Sequence, residues 1–264
     1  MDLWTAFLLG IVEGVTEFLP VSSTGHLILA AKLLGQPETD FSKSFKVAIQ
    51  LGAIFSVVVL YWRSLLVDFA VVKRIVVAFV PTGILGLLLY KRVRALLDND
   101  GVVLVSLAIG GVVLILFELL HREKERDGEE RLTDISYFQC VLIGLCQSVA
   151  MIPGVSRSAA TILGGLALGL RRKTIVEFSF LLAVPTIAAA TGKELYENSA
   201  HFSGSEFVAL GVGLVVSFVV ALISIGLLLR YIKTHTFIAF GVYRIVLAAA
   251  LWFVLRPSPA SPAE

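Results

Sequence analysis

Charge is scarce in this chain, and so are the side chains on which soluble catalysis leans. Of 264 residues only 16% are Asp, Glu, Lys or Arg, with four histidines and two cysteines. The formal net charge of +2 lacks the basic excess that nucleic acid requires, and no basic patch is interleaved with aromatics, so nucleic acid is excluded as a partner. Cys140 and Cys146 are spaced neither as a redox CxxC pair nor for a metal site, and read as inert packing residues. The opening "MDLWTAF" has an acid and no basic n-region, which argues against a cleaved signal peptide. Apolar residues are abundant: 57% of the chain is hydrophobic and the mean hydropathy is +0.90. No soluble domain needs that much apolar surface, so the sequence predicts an all-α polytopic membrane protein, one integral domain over 1–264. The polar, Pro-rich end predicts a disordered tail at 257–264.

A helix needs about 20 apolar residues to cross a bilayer. Six stretches qualify: 44–62, 75–90, 102–121, 174–192, 206–229 and 236–255. Two other apolar regions are interrupted, 2–35 by "LPVSSTG" and 135–170 by "IPGVSRS". Each half of these is about 15 residues, or about 23 Å as helix, too short to span. Exposed non-helical backbone is not tolerated in lipid, so both regions read as re-entrant helix–loop–helix hairpins with tips buried in protein. A pair of Pro-kinked spans is the alternative.

The hairpins repeat each other. "GIVEGV" at 10–15 precedes "GLCQSV" at 144–149 by 134 positions, and "VSSTG" at 21–25 precedes "VSRSA" at 155–159 by the same interval. Each half, about 1–121 and 135–256, is then a hairpin followed by three spans. Three is odd, so the halves enter from opposite faces: an inverted-topology repeat whose tips meet at the midplane. Twelve basic residues, including Arg63, Arg74, Arg131, Arg172 and Arg230, fall on one face. Eight, including Lys43, Lys46, Lys91 and Lys193, fall on the other. The first face is predicted cytoplasmic.

A charge at the bilayer centre costs about 2.5–3.5 kcal/mol, which makes each one a functional candidate. Glu13 and Glu17, at i and i+4, share one helix face and repel unless a cation or proton intervenes. A hard divalent cation such as Mg²⁺ or Ca²⁺ suits them, and their repulsion predicts that Glu17→Gln keeps or gains stability. Ser22, Ser23 or Thr24 can cap the helix that restarts after Pro20, and its free N–H groups favour an anion. His26 lies at i+3 from Ser23, within reach of it. "PGVSRS" repeats the design with Ser156, Ser158 and Arg157, whose planar fork matches phosphate oxygens. Thr161 shares the face of Arg157. Arg157 could equally be a structural ion pair with Glu13 or Glu17. Arg244 could pair with a site carboxylate or cap a neighbouring helix, and Glu118 could snorkel. His121, His201 and His235 read as solvated. Together these residues describe a site for a phosphate-bearing, metal-complexed head group on a lipid tail.

"EGVTEFLPVSSTGH" and "PGVSRSAAT" resemble the motifs of the bacterial undecaprenyl-diphosphatase family, the bacitracin-resistance type, and the resemblance covers nearly the whole chain. Its E-x-x-x-E motif falls on Glu13 and Glu17. Its serine-glycine-histidine segment falls on Ser22, Ser23, Thr24, Gly25 and His26, and its P-G-x-S-R-S-x-x-T motif on Pro153, Gly154, Ser156, Arg157, Ser158 and Thr161. The resemblance implies hydrolysis of undecaprenyl diphosphate to the monophosphate and phosphate, dependence on a divalent cation, and a bacterial inner-membrane site opening outward. On that footing Arg157 holds the diphosphate, and Glu17 with Glu13 binds metal or orients the attacking group. His26 serves as general acid/base or phosphohistidine, or as the base for a Ser23 nucleophile. A polyprenyl phosphate flippase is the rival, since broken helices meeting at the midplane also build transporters. The polyprenyl diphosphate and membrane lipids are the expected partners, with homodimerisation left open.

Overall fold

In the computed structural model, residues 1–97, 100–121, 130–198 and 202–255 are described, and among them every regular element is helical. The core of the predicted cytoplasmic loop (122–129), the predicted tail and His201 lie outside the described residues.

The first interrupted region folds as α1 (Leu3–Thr16) and α2 (Ser23–Leu33), the second as α8 (Tyr137–Ser148) and α9 (Arg157–Ala167). At 11 to 14 residues these helices are about 16–21 Å long, short of a bilayer. Between the hairpins run α3 (Asp40–Ala48), α4 (Gln50–Leu60), α5 (Trp62–Leu66), α6 (Phe69–Leu97) and α7 (Asp100–Leu120). After the second come α10 (Arg172–Asn198), α11 (Gly204–Tyr231) and α12 (Ile238–Leu255). Helix starts follow local chemistry: Asp2 accepts the Thr5 N–H at 2.8 Å, and Ser136 with Gln139 closes a capping box on α8. Ser203 and Glu206 do the same for α11.

Five stretches are long and apolar enough to cross a membrane: Asp40–Leu60, Phe69–Leu89, Gly101–Leu120, Arg172–Glu197 and Gly204–Tyr231. The sixth expected span, 236–255, folds as α12, whose apolar part, Ile238–Phe253, is shorter. Outward-facing Leu87, Leu88, Leu119, Leu120 and Phe253 are exposed, as lipid-facing residues must be, while polar residues collect inside.

Packing interleaves the chain. Helix α1 lies along α11, α8 lies along α6, α7 pairs with α12, and α4 contacts both α10 and α11. The first of these approaches is close enough that a Cβ on Gly14 would stand 2.7 Å from the Ser217 carbonyl oxygen. Two polar ends are tied. At one, Arg172 grips the Glu118 carboxylate, which also accepts the Phe237 N–H, and Arg74 donates to the Ile135 carbonyl. At the other, Ser44 donates to Glu194, Lys46 to Glu38, and Thr191 to the Val47 carbonyl. Glu118 is thus paired rather than reaching for solvent.

Candidate active site

The two hairpin tips meet across one ion pair. Glu17, the residue closing α1, receives Arg157 Nη2 on one carboxylate oxygen at 3.0 Å and the Ser23 hydroxyl on the other at 2.6 Å. Arg157 opens α9, and its Nη1 donates to the Ser179 carbonyl on α10 at 2.8 Å. Its guanidinium also lies 5.9 Å from the Phe18 ring centre, and Phe18 in turn meets Phe180 edge-on. Glu17 is buried and Arg157 only slightly exposed, so each depends on the other's charge. The structural reading of Arg157 as a partner of Glu17 therefore holds, and it coexists with a place on the cavity wall.

That cavity, of about 240 Å³, is lined by Glu17, Ser22, Ser23, Thr24, Ser156 and Arg157, all drawn from the two motifs. It is also lined by Gln50, Thr82, Gln147 and Thr186, which motif reading passed over. The signal for two of them was present, since Thr82 follows the mid-helix Pro81 and Thr186 follows Pro185. Without charge, neither stood out.

Helix α2 begins differently from the expectation. Ser22 holds the N-cap position at φ +71 and makes no side-chain cap, so the first amides of α2 are uncapped where Ser22–Thr24 line the cavity. A non-glycine residue in that region is strained, and here it lines the cavity. Helix α9 is capped as expected, the Ser156 hydroxyl accepting from the Ala159 N–H at 3.2 Å.

Other motif residues support the wall from behind. Thr161 and Ser179 share a 2.6 Å hydrogen bond beneath the carbonyl that anchors Arg157. Ser158 is buried against Ser156 at 3.3 Å. Gly154, at φ +89, lets the second tip press on the Val103 carbonyl, and Gly25 packs on Leu107. His26 does not meet Ser23. Its Nδ1 donates to the Ser22 carbonyl at 2.8 Å, so the ring's Nε2 accepts from the Tyr243 hydroxyl at 2.7 Å. The base in contact with Ser23 is Glu17 instead.

Among the described residues Arg244 contacts no carboxylate. Fully buried, it donates to the carbonyls of Pro20 and Gly154, one from each tip, and to those of Ser106 and Leu107 on α7. Neither of its two expected roles is found: it ties both tip loops to the middle of α7 and caps no helix end.

Buried polar atoms without a partner among the described residues belong to Glu13 (both oxygens), Gln147 (Oε1), Arg157 (Nε) and Ser42. Gln147 and Arg157 line the cavity, and Glu13 is one turn from Glu17. The cavity wall thus carries one residue with an unfilled donor and one with an unfilled acceptor, and Glu13 stands buried behind it beside Glu17.

The family described as "Bacitracin resistance protein BacA" matches residues 6–250. A Sulfurihydrogenibium sp. protein named undecaprenyl-diphosphatase is 52% identical over 96% of this chain and 100% of its own length. Proteins of the same name from Persephonella marina and Aquifex aeolicus are 50% and 48% identical, over 97% and 94% of this chain and 100% and 96% of theirs. The matches run through both hairpins and all the cavity-lining residues, and the chain belongs to the bacitracin resistance protein BacA family.

Proposed function

We propose that this protein hydrolyses undecaprenyl diphosphate to undecaprenyl phosphate and inorganic phosphate, returning the lipid carrier to cell-wall synthesis. The observation that carries this reading is the Arg157–Glu17 bridge on the wall of a polar cavity deep in an apolar helical bundle. The relatives' shared name favours hydrolysis over transport. A space of about 240 Å³ accommodates a phosphorylated head group, leaving the polyprenyl tail among the lipids.

Phosphoryl transfer asks for positioning and charge neutralisation. Arg157 Nε, the unfilled donor, takes a phosphate oxygen, and the uncapped amides of α2 take others. Glu17 takes the proton of the attacking group, which is water or Ser23. His26, bound to Ser22 and Tyr243, holds the strained Ser22 backbone in place. The unpartnered carboxylate of Glu13 beside Glu17 fits a hard cation, and these two residues would hold Mg²⁺ or Ca²⁺. No third His, Cys, Asp or Glu clusters with them among the described residues, so hydroxyl, water and substrate oxygens would complete the set. Bound there, the ion would neutralise charge on the phosphates.

The test is phosphate release by purified protein in detergent, titrated with divalent ion and with chelator. Glu17→Gln should lose release and its metal response, and Glu13→Gln should be milder. A wild-type rate and metal response in Glu17→Gln would overturn the assignment. The repulsion-based stability expectation now reverses. Glu17→Gln removes the counter-charge of the largely enclosed Arg157, which should be visible as a lower unfolding temperature.

The membrane arrangement that supports this site is six spans, α12 included, with two re-entrant hairpins and inverted halves at 1–121 and 135–256. The exchanged packing of α1 on α11 and α8 on α6 supports it, because each hairpin leans on the opposite half. So does the clustering of Arg74, Arg171 and Arg172 with Glu118 and Glu130 at one end, read as the cytoplasmic end of an inner-membrane protein whose site opens outward. A cysteine placed at 127 should resist labelling from outside intact cells. Ready labelling would invert the topology.

A further inference from the structure

Gln147 lines the same cavity as Glu17 and Arg157, and its neighbours dictate its orientation. Its Nε2 donates to the Thr82 hydroxyl at 3.0 Å and to the Thr186 hydroxyl at 3.1 Å. Each threonine hydroxyl has one proton, and each spends it elsewhere: Thr82 on the Gly144 carbonyl and Thr186 on the Leu182 carbonyl, both at 2.8 Å. Two hydroxyls with committed protons can only accept. The amide nitrogen must therefore lie between them, since a flipped side chain would set an oxygen against two lone pairs. Both amide protons are thereby used, and Oε1 is left as a pure acceptor. It is buried and has no partner among the described residues.

A buried acceptor held this firmly calls for a proton donor in the cavity it lines. Resting on the hydrolytic reading above, we propose that Gln147 Oε1 orients the attacking water. One water proton is held by Gln147, the other by the Glu17 carboxylate that lines the same cavity, and the oxygen lone pair is left for phosphorus. As the new P–O bond forms, the bridging P–O bond breaks and undecaprenyl phosphate departs with the bridging oxygen. Glu17 takes the water proton, and inorganic phosphate remains. The amide neither gains nor loses a proton, which suits a residue that aims a nucleophile rather than activating it.

Position 147 stands 134 residues after Glu13, so the second hairpin carries a neutral amide where the first carries an acid. The asymmetry has a chemical reason on this reading. A second carboxylate on that wall would repel the diphosphate, whereas an amide supplies the acceptor without the charge.

The experiment compares wild type, Gln147→Leu and Gln147→Glu, measuring kcat, KM and inhibition by inorganic phosphate, with thermal unfolding in detergent as the control for folding. Gln147→Leu should lower kcat about 100-fold while KM and the phosphate inhibition constant stay near wild type. Gln147→Glu, which sets an oxygen against the two committed hydroxyls and adds a negative charge, should not recover kcat and should raise KM. A kcat for Gln147→Leu within twofold of wild type would overturn the proposal. So would a parallel rise of KM and the phosphate inhibition constant in that variant, which would make Gln147 a phosphate ligand. Should Gln147→Leu fail to fold, Thr186→Val decides: lowered kcat at constant KM supports the proposal, and unchanged kcat refutes it. A wild type that releases no phosphate would instead defeat the hydrolytic reading itself.

Discussion

Arg157→Lys is expected to keep its fold and lose about 10²- to 10³-fold in phosphate release. The guanidinium does three things from one plane: Nη2 holds Glu17, Nη1 holds the Ser179 carbonyl, and Nε is left over for substrate. A lysine ammonium keeps the charge, and so keeps most of the ion pair, but it cannot serve three directions set by a rigid fork. The expected loss is that of a transition-state donor, which is where the estimate comes from. The measurement is release rate beside unfolding temperature for the two proteins. A folded lysine variant with near-normal turnover would confine Arg157 to holding Glu17.

Arg244→Met should be the most damaging substitution for stability. It removes the donor for two tip carbonyls, Pro20 and Gly154, in loops that have left helical geometry. Each buried carbonyl left without a donor costs about 1–3 kcal/mol, and methionine fills the volume without replacing either bond. The neighbouring helix is shaped for this guanidinium. A Cβ on Gly110 would stand 2.1 Å from Arg244 Nη2, so Gly110→Ala should reproduce part of the loss. Release should fall along with unfolding temperature in both variants, because the tips that carry Glu17 and Arg157 are no longer held. Unfolding of Arg244→Met at the wild-type temperature would show that the tips stand without it.

Much of this site could be read from residue types. Carboxylates, an arginine and broken helices are conspicuous in an apolar chain, since each is costly there and each must be answered by a partner. The lengths of α1, α2, α8 and α9 follow from where Pro20 and Pro153 fall. Pairing is what spacing does not determine. His26 stands three residues after Ser23, yet its ring turns to Tyr243, a residue 217 positions away. Ser22 was a reasonable cap by type, but its backbone takes a left-handed turn that no propensity anticipates. The neutral wall was invisible for a simpler reason. Thr82, Gln147 and Thr186 become notable only when three helices bring them together and exhaust one another's protons.

The packing of α1 along α11 sets chain order against assembly order. Helix α1 finds its main neighbour, α11, only after all the chain between them has been made, and the arginine that answers Glu17 lies 140 residues downstream. Through that interval the emerging hairpin carries two carboxylates with no counter-charge, which the hydrocarbon layer resists by about 2.5–3.5 kcal/mol apiece. The cavity is thus closed late, by the arrival of the second half, and a nascent chain presents only part of its lining to the lipids around it.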